Sequence, residues 1–357
     1  MTQAVLHRET EVGTPLAVQY RVIFMRRVMW LSVLAAALFS SVVLNIATGP
    51  SGMSVGDVVT GLFRPDSLEQ AARVILWDVR LPFAMLAVVV GACLGLAGGE
   101  MQTVLNNPLA SPSTLGVMHA ASVGASFAIV FNVTALGITE NYVIPVFAFA
   151  GAMASIFMIQ ALSRAFGATV DTVILFGIAT VFAMDAAVSL IQFVANDDSL
   201  QQIVFWTMGS VSRATWEKVA IVAVVFALCL PMSLRHMWQM TALRGGEDQA
   251  RSFGVAVDRL RTMVLLRVSL LTAIAISFTG VIGFIGLVGP HIARLAFGED
   301  HRFYLPGSAL AGAFILSAAS LVAKSIVPGI LIPDGIVTAL IGIPLFLALV
   351  MTQKRRA

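Results

Sequence analysis

Ten apolar runs, each of about 16 to 26 residues, fill most of this 357-residue chain; they lie near 28–47, 81–105, 115–133, 143–163, 170–195, 215–235, 262–280, 281–296, 305–323 and 335–351. A helix of roughly 20 residues crosses a bilayer core of about 30 Å. Within lipid, backbone N–H and C=O groups find partners only in helices or closed barrels, so these runs read as an all-α integral membrane protein with about ten transmembrane helices. Composition leaves no room for a soluble domain: 58% of residues are hydrophobic, 11% are charged, and the mean hydropathy is +0.92. The stretch 262–296 has to be divided into two spans, and Gly280 and Gly283 mark the expected turn.

Charge sets the orientation, because loops on the cytoplasmic side keep Lys and Arg. With the N-terminus inside, the outer connections hold Arg64, Arg73, Arg80, Arg213, Lys218 and Lys324, which leaves sixteen of the 22 basic residues on the inner side. An even number of helices then places both termini in the cytoplasm. The chain divides into an N-terminal tail over 1–27, a transmembrane domain over 28–351 and a C-terminal tail over 352–357. The first 27 residues are too polar for a signal peptide, and no A-x-A cleavage site follows the first apolar run. The formal net charge of +3 reflects topology, as no basic stripe with interleaved aromatics marks a nucleic-acid partner. Cys93 and Cys229 fall inside expected spans and support neither a disulfide framework nor a thiolate metal site.

The inner connection, about 236–261, is expected to form a polar helix-turn-helix that projects from the membrane. In its ALRGGEDQARSFGV core, Glu247 and Asp248 fall in an early turn and Arg251 in a later one, which suits a short surface helix. It is either a solvated connector or a face offered to another protein. A second dense motif, GGEMQTVLNNPLASPSTLG over Gly98–Gly116, ends a helix at Asn106-Asn107 and offers Ser111 or Ser113 as the next cap. It is longer than a simple turn needs to be, and unwound backbone at membrane depth is tolerated where it lines a cavity, so turn and pathway readings both stand.

Among the charged residues, Asp185 lies mid-span in VILFGIATVFAMDAAVSLIQF. A carboxylate there costs about 2.5 to 3.5 kcal/mol on insertion scales, so it is expected to face a wet cavity or a partner. Glu100 is expected to be paired or hydrated, His291 to cap or pack a helix end, and His119 to pack. The chain contains no G-x-x-x-x-G-K-[ST] loop, H-E-x-x-H or G-x-S-x-G, so neither an ATPase site nor an intramembrane enzyme is indicated. An ion-coupled secondary transporter is the remote alternative, with Asp185 its one support.

The motifs RLP (80–82), GxxxQ (98–102), NPLASPSTLG (107–116), the 243–255 loop, GFIGLVGPHIAR (283–294), EDHRFYLPGSALAGA (299–313) and GIVTALIGIPLF (335–346) together resemble the FecCD family. These are the permease subunits of bacterial ABC importers for ferric siderophores, haem and cobalamin, and the motifs run in order from about residue 30 to 351. The resemblance implies the type II ABC importer permease fold, with two inverted five-helix repeats. The similar segments RLPFAMLAVVVGACLGLAGGEMQ and RVSLLTAIAISFTGVIGFIGLV fit such a repeat.

The same resemblance implies an assembly and a set of residue roles. The chain would pair with a second permease subunit, identical or paralogous, in the bacterial inner membrane. Two cytoplasmic ATPases would hold ATP and Mg, and a periplasmic or lipid-anchored binding protein would deliver cargo. This chain would be no enzyme and would bind no cofactor or metal. Ferric siderophore is the expected cargo, with haem or cobalamin the alternative. By that resemblance Leu243, Gly246, Glu247, Ala250, Arg251 and Gly254 would couple to the ATPase. Asn107, Leu109, Val170, Asp171 and Asp185 would form the path and inner gate, and Arg80 and Lys324 would meet acidic residues of the binding protein. The chain departs from the family pattern at Phe83, where a second arginine is common. Lys324, Ser320 and Leu331 likewise stand where arginine, aspartate and glutamate are usual.

Overall fold

Every apolar run becomes a helix in the computed structural model, which describes residues 16–49, 53–133, 139–166, 170–327 and 329–354. Residues 1–15 and 355–357, parts of the two expected tails, lie outside the described residues. The helices are α1 (Leu16–Ala47), α2 (Val55–Phe63), α3 (Gln70–Val74), α4 (Leu81–Val104), α5 (Val117–Val130), α6 (Glu140–Phe166), α7 (Val170–Val194) and α8 (Asp197–Thr207). They continue as α9 (Trp216–Arg235), α10 (Met237–Leu243), α11 (Glu247–Ser252), α12 (Val257–Thr279), α13 (Ile285–Phe297), α14 (His301–Ser325) and α15 (Asp334–Lys354). A π turn over Ile75–Arg80 joins α3 to α4 without a break. Among the described residues, seven continuous helices are long and apolar enough to cross a membrane, and the shorter apolar stretches in α5, α13 and α15 bring the number to the ten expected.

Successive spans alternate in direction and define two faces. The basal face carries α10 and α11, and the apical face carries α2 and α8. Both small apical helices are fixed by local capping. Ser54 accepts from the Asp57 amide while Asp57 accepts from the Ser54 amide, and Asn196 accepts from the Ser199 amide.

The stretch 262–296 divides where glycine predicts. Gly280 takes φ +76°, a conformation costly for any residue with a Cβ, and the Thr279 carbonyl just before it accepts from the Ser210 amide at 2.7 Å. The first helix differs from expectation: it begins at Leu16, well before residue 28. Its added turns dock on the start of α14, with Phe24 edge-on to Phe303 at 5.5 Å and Arg27 donating to Asp300 at 2.7 Å.

At the centre, α4 lies against α13 and α14 at backbone contact. A Cβ on Gly91 would strike the Gly312 carbonyl, one on Gly95 the Ser308 carbonyl, and one on Gly98 the Gly286 carbonyl. Small residues are what allow this in lipid, where packing replaces the hydrophobic effect between helices. Just below, Glu100 is fully buried and accepts two bonds from Arg267 Nε on α12, at 2.8 and 3.1 Å.

Two comparisons test this core. Gly98→Val should destabilise by at least about 1 to 3 kcal/mol, because its clash is with backbone. Gly283→Ala, which meets open space, should leave the heat-aggregation midpoint in detergent unchanged. Arg267→Met should cost about 3 to 5 kcal/mol by stranding a buried carboxylate, whereas the double change Glu100→Leu/Arg267→Met should recover most of that loss in the same assay.

Candidate functional site

The basal projection is built as a rigid unit. After α10, Gly246 takes φ +111° and α11 starts with Glu247 and Asp248 in its first turn. The helix closes with a Schellman arrangement: the Gly254 amide donates to the Arg251 carbonyl and the Val255 amide to the Ala250 carbonyl, both at 3.0 Å. Gly254 takes φ +80°, which only glycine adopts without cost. Ala250 and Val255 are buried together beneath that turn, and Leu243 is buried at the end of α10. Glu247 pairs with Arg261 of α12 and lies 3.7 Å from Arg251, which also reaches Asp258 at 3.2 Å. All six residues expected to couple thus fall in one element, and Trp238 and Phe253 stand exposed beside them.

The turn after α4 lies on the same face. Asn106 takes φ +44°, and the Asn107 carboxamide accepts from the Leu109 amide at 2.9 Å, so Asn107 is a local cap while Leu109 is exposed. Further along, the short helical turn Pro112–Leu115 packs on α7, where Gly177 admits the Thr114 carbonyl. Val170 and Asp171 begin α7 at its basal end, half-buried and exposed respectively. Asp185 is mid-helix with its side chain 57% exposed, and its carboxylate lies 3.8 Å from His119 Nε2 on α5.

The apical cations are placed differently from expectation. Arg80 is buried and donates to the Ile46 and Ala47 carbonyls at 2.8 and 2.9 Å. Lys324 donates to Asn45 Oδ1 at 2.6 Å and to its carbonyl at 3.2 Å, with its ammonium 3.8 Å from the centre of the Phe83 ring. Both side chains turn inward to satisfy the last carbonyls of α1, the end of a helix that attracts cations. Phe83, at the position of a common second arginine, supplies a cation–π face instead. Sequence reasoning missed Asn45 as the partner of Lys324. It also missed the basal side chains Thr241, Arg244, Glu299 and His301, whose contacts cross between distant segments that no local pattern joins.

A multi-span helical bundle with glycine-packed central helices and a rigid two-helix projection on one face is the architecture of a transporter's membrane subunit. The FecCD transport family matches residues 35–352, and the chain belongs to that family of ABC importer permeases. It is 35% identical to the hemin transport system permease protein HmuU of Yersinia pestis, over 79% of this chain and 84% of that protein. It is 37% identical to the cobalamin import system permease protein BtuC of Halobacterium salinarum, over 81% of this chain and 76% of that protein. A metal-chelate type ABC transporter solved in an inward-facing conformation superposes with a TM-score of 0.81 at 30% identity, covering 91% of this chain and 99% of that chain.

The basal rim also carries a titratable clamp. Asp300 caps α14; the hydrogen bond from Arg302 holds its carboxyl below the ordinary carboxylate range, against the opposing effect of burial and with help from Arg27. A carboxyl depressed on folding stabilises above its unfolded value of about 3.9 and loses that contribution as pH falls through the folded value. Asp300→Asn keeps the cap and removes the charge, so it should lower the unfolding midpoint at pH 7. The gap to wild type should close at a pH below the folded value, as read by thermal unfolding in detergent.

Proposed function

We propose that this chain is the membrane permease that moves a ferric siderophore across the bacterial inner membrane, with ATP and Mg held by two partner ATPases and none by this chain. The observation that carries the coupling role is the locked α10–α11 element. Moving one end of a flexible connector would bias nothing at the other, whereas an ion-paired, Schellman-capped projection can shift a bound equilibrium. Leu243, Gly246, Glu247, Ala250, Arg251 and Gly254 form its body, and exposed Phe253 provides an apolar anchor for the ATPase cleft.

The excess of basic residues near the basal face supports a cytoplasmic basal side with both termini inside. A second permease subunit, identical or paralogous, would complete the path along α7, with Asp185 and His119 on its wall and Asn107, Leu109, Val170 and Asp171 at the inner end. A periplasmic or lipid-anchored binding protein would dock on the apical face, where Arg80 and Lys324 hold the rim in shape through α1. Relatives named for hemin and for cobalamin, and a solved metal-chelate type transporter, support a bulky metal chelate as cargo. Haem or cobalamin is the second reading.

Uptake of labelled ferric siderophores, haem and cobalamin by cells lacking the chain decides the cargo. Deletion should abolish ferric-siderophore uptake and wild type should restore it. Phe253→Asp should restore it about tenfold less well or worse, the cost of losing an interface anchor. Loss confined to haem or cobalamin would replace the siderophore while keeping the permease role.

A further inference from the structure

We propose that Arg244 is the positioning residue through which the α10–α11 element moves the gate turn after α4, in a two-point linkage completed by His301. This rests on the coupling role proposed for α10–α11. Arg244 closes α10, and its guanidinium spans two separate segments. Nη1 donates to Asn106 Oδ1 at 2.8 Å, and Nη2 donates to Glu299 Oε1 at 2.8 Å. Asn106 is the left-handed residue of the gate turn, one position before Asn107. A planar guanidinium with two donor edges bridges two acceptors in fixed geometry, which an ammonium cannot do.

One turn earlier on α10, Thr241 makes a second, parallel connection. Its hydroxyl lies 3.0 Å from His301 Nδ1, and His301 Nε2 lies 2.8 Å from Thr103 Oγ1 on α4. His301 is fully buried. Thus Thr241 and Arg244, three residues apart on α10, reach Thr103 and Asn106, three residues apart at the end of α4. A single contact would act as a pivot; two parallel contacts transmit rotation as well as displacement.

The far anchor is firm. Glu299 lies 3.0 Å from Arg294 Nε, and Arg294 donates to Gln102 Oε1 and to the Tyr304 hydroxyl at 3.0 Å each. The loop of contacts therefore closes on α4 through Gln102. Above it, the glycine contacts of α4 with α13 and α14 leave no backbone freedom, so motion delivered at Asn106 is taken up in the 105–110 turn. That turn carries Asn107 and Leu109.

The test uses the permease assembled with its ATPases in proteoliposomes and needs no cargo. Cys93 and Cys229 are buried, so Leu109→Cys is read against a low background with a membrane-impermeant maleimide. Labelling is compared without nucleotide and after trapping with ATP and vanadate, with ATP hydrolysis measured on the same samples. In the otherwise unchanged chain the two rates should differ about fivefold or more, the low end of allosteric coupling. Arg244→Gln and Arg244→Lys should shrink that difference to less than about twofold while hydrolysis continues. Asn106→Gly, which keeps the left-handed turn and deletes the acceptor, should do the same from the gate side, and combining it with Arg244→Gln should add nothing. A full difference in Arg244→Gln and Asn106→Gly would overturn the linkage and leave the coupling role standing. No difference in the Leu109→Cys chain itself would overturn both.

Discussion

Backbone contact between α4 and its neighbours α13 and α14 is the constraint on which the rest of the fold depends. Lipid offers no solvent penalty to drive helices together, so association depends on how closely their surfaces approach. Gly91, Gly95 and Gly98 on one side and Gly286, Ser308 and Gly312 on the other bring the backbones within reach. That approach fixes the depth of everything below it on α4. Glu100 arrives in a site with no access to water, where only a hydrogen-bonded cation makes a carboxylate tolerable, and Arg267 on α12 supplies it. Gln102, Thr103 and Asn106 then arrive at the basal rim in register with Arg294, His301 and Arg244.

The apical end obeys the same polar accounting with different partners. The last turn of α1 leaves carbonyls without helical partners in a region of low polarity, and Arg80 at the end of the π turn before α4 and Lys324 from α14 meet them there. The ends of helices that close the core thereby anchor the end of the first span. Ser41 and Asn45 of α1 bonding to Ser317 of α14 extend that attachment inward. Both cations thus hold the end of α1 in place at the apical rim.

The spans were legible because membrane crossing depends on the mean polarity of a segment, which a sequence states directly. Even the division at Gly280 was readable, since a positive φ leaves a compositional mark. The α10–α11 pair was legible for the same local reason: Glu247, Asp248 and Arg251 dispose their charges along a single short helix. What could not be read were interactions between distant segments. Nothing near Arg80 names Ile46 as its acceptor, nothing near Arg244 names Asn106, and nothing near Leu16 shows that Phe303 and Asp300 wait to extend α1. Residue type gave the capacity for those bonds, and only the packing of α4 decided which were made.

The exposed face of α7 suits neither lipid nor bulk water. Leu175, Ile178, Phe182, Asp185, Ser189 and Phe193 recur at three- and four-residue spacing, so they form one face, and all are exposed in the isolated chain. Apolar residues on such a face are at home in lipid, but Asp185 among them is not, at about 2.5 to 3.5 kcal/mol on insertion scales. His119 at 3.8 Å offers it a partner from α5 without removing it from the surface. A helix that exposes five apolar or neutral side chains and one carboxylate on the same stripe is therefore stable only where the stripe meets protein and the carboxylate meets water. That combination is what the path wall proposed for α7 would supply, with another subunit closing the path.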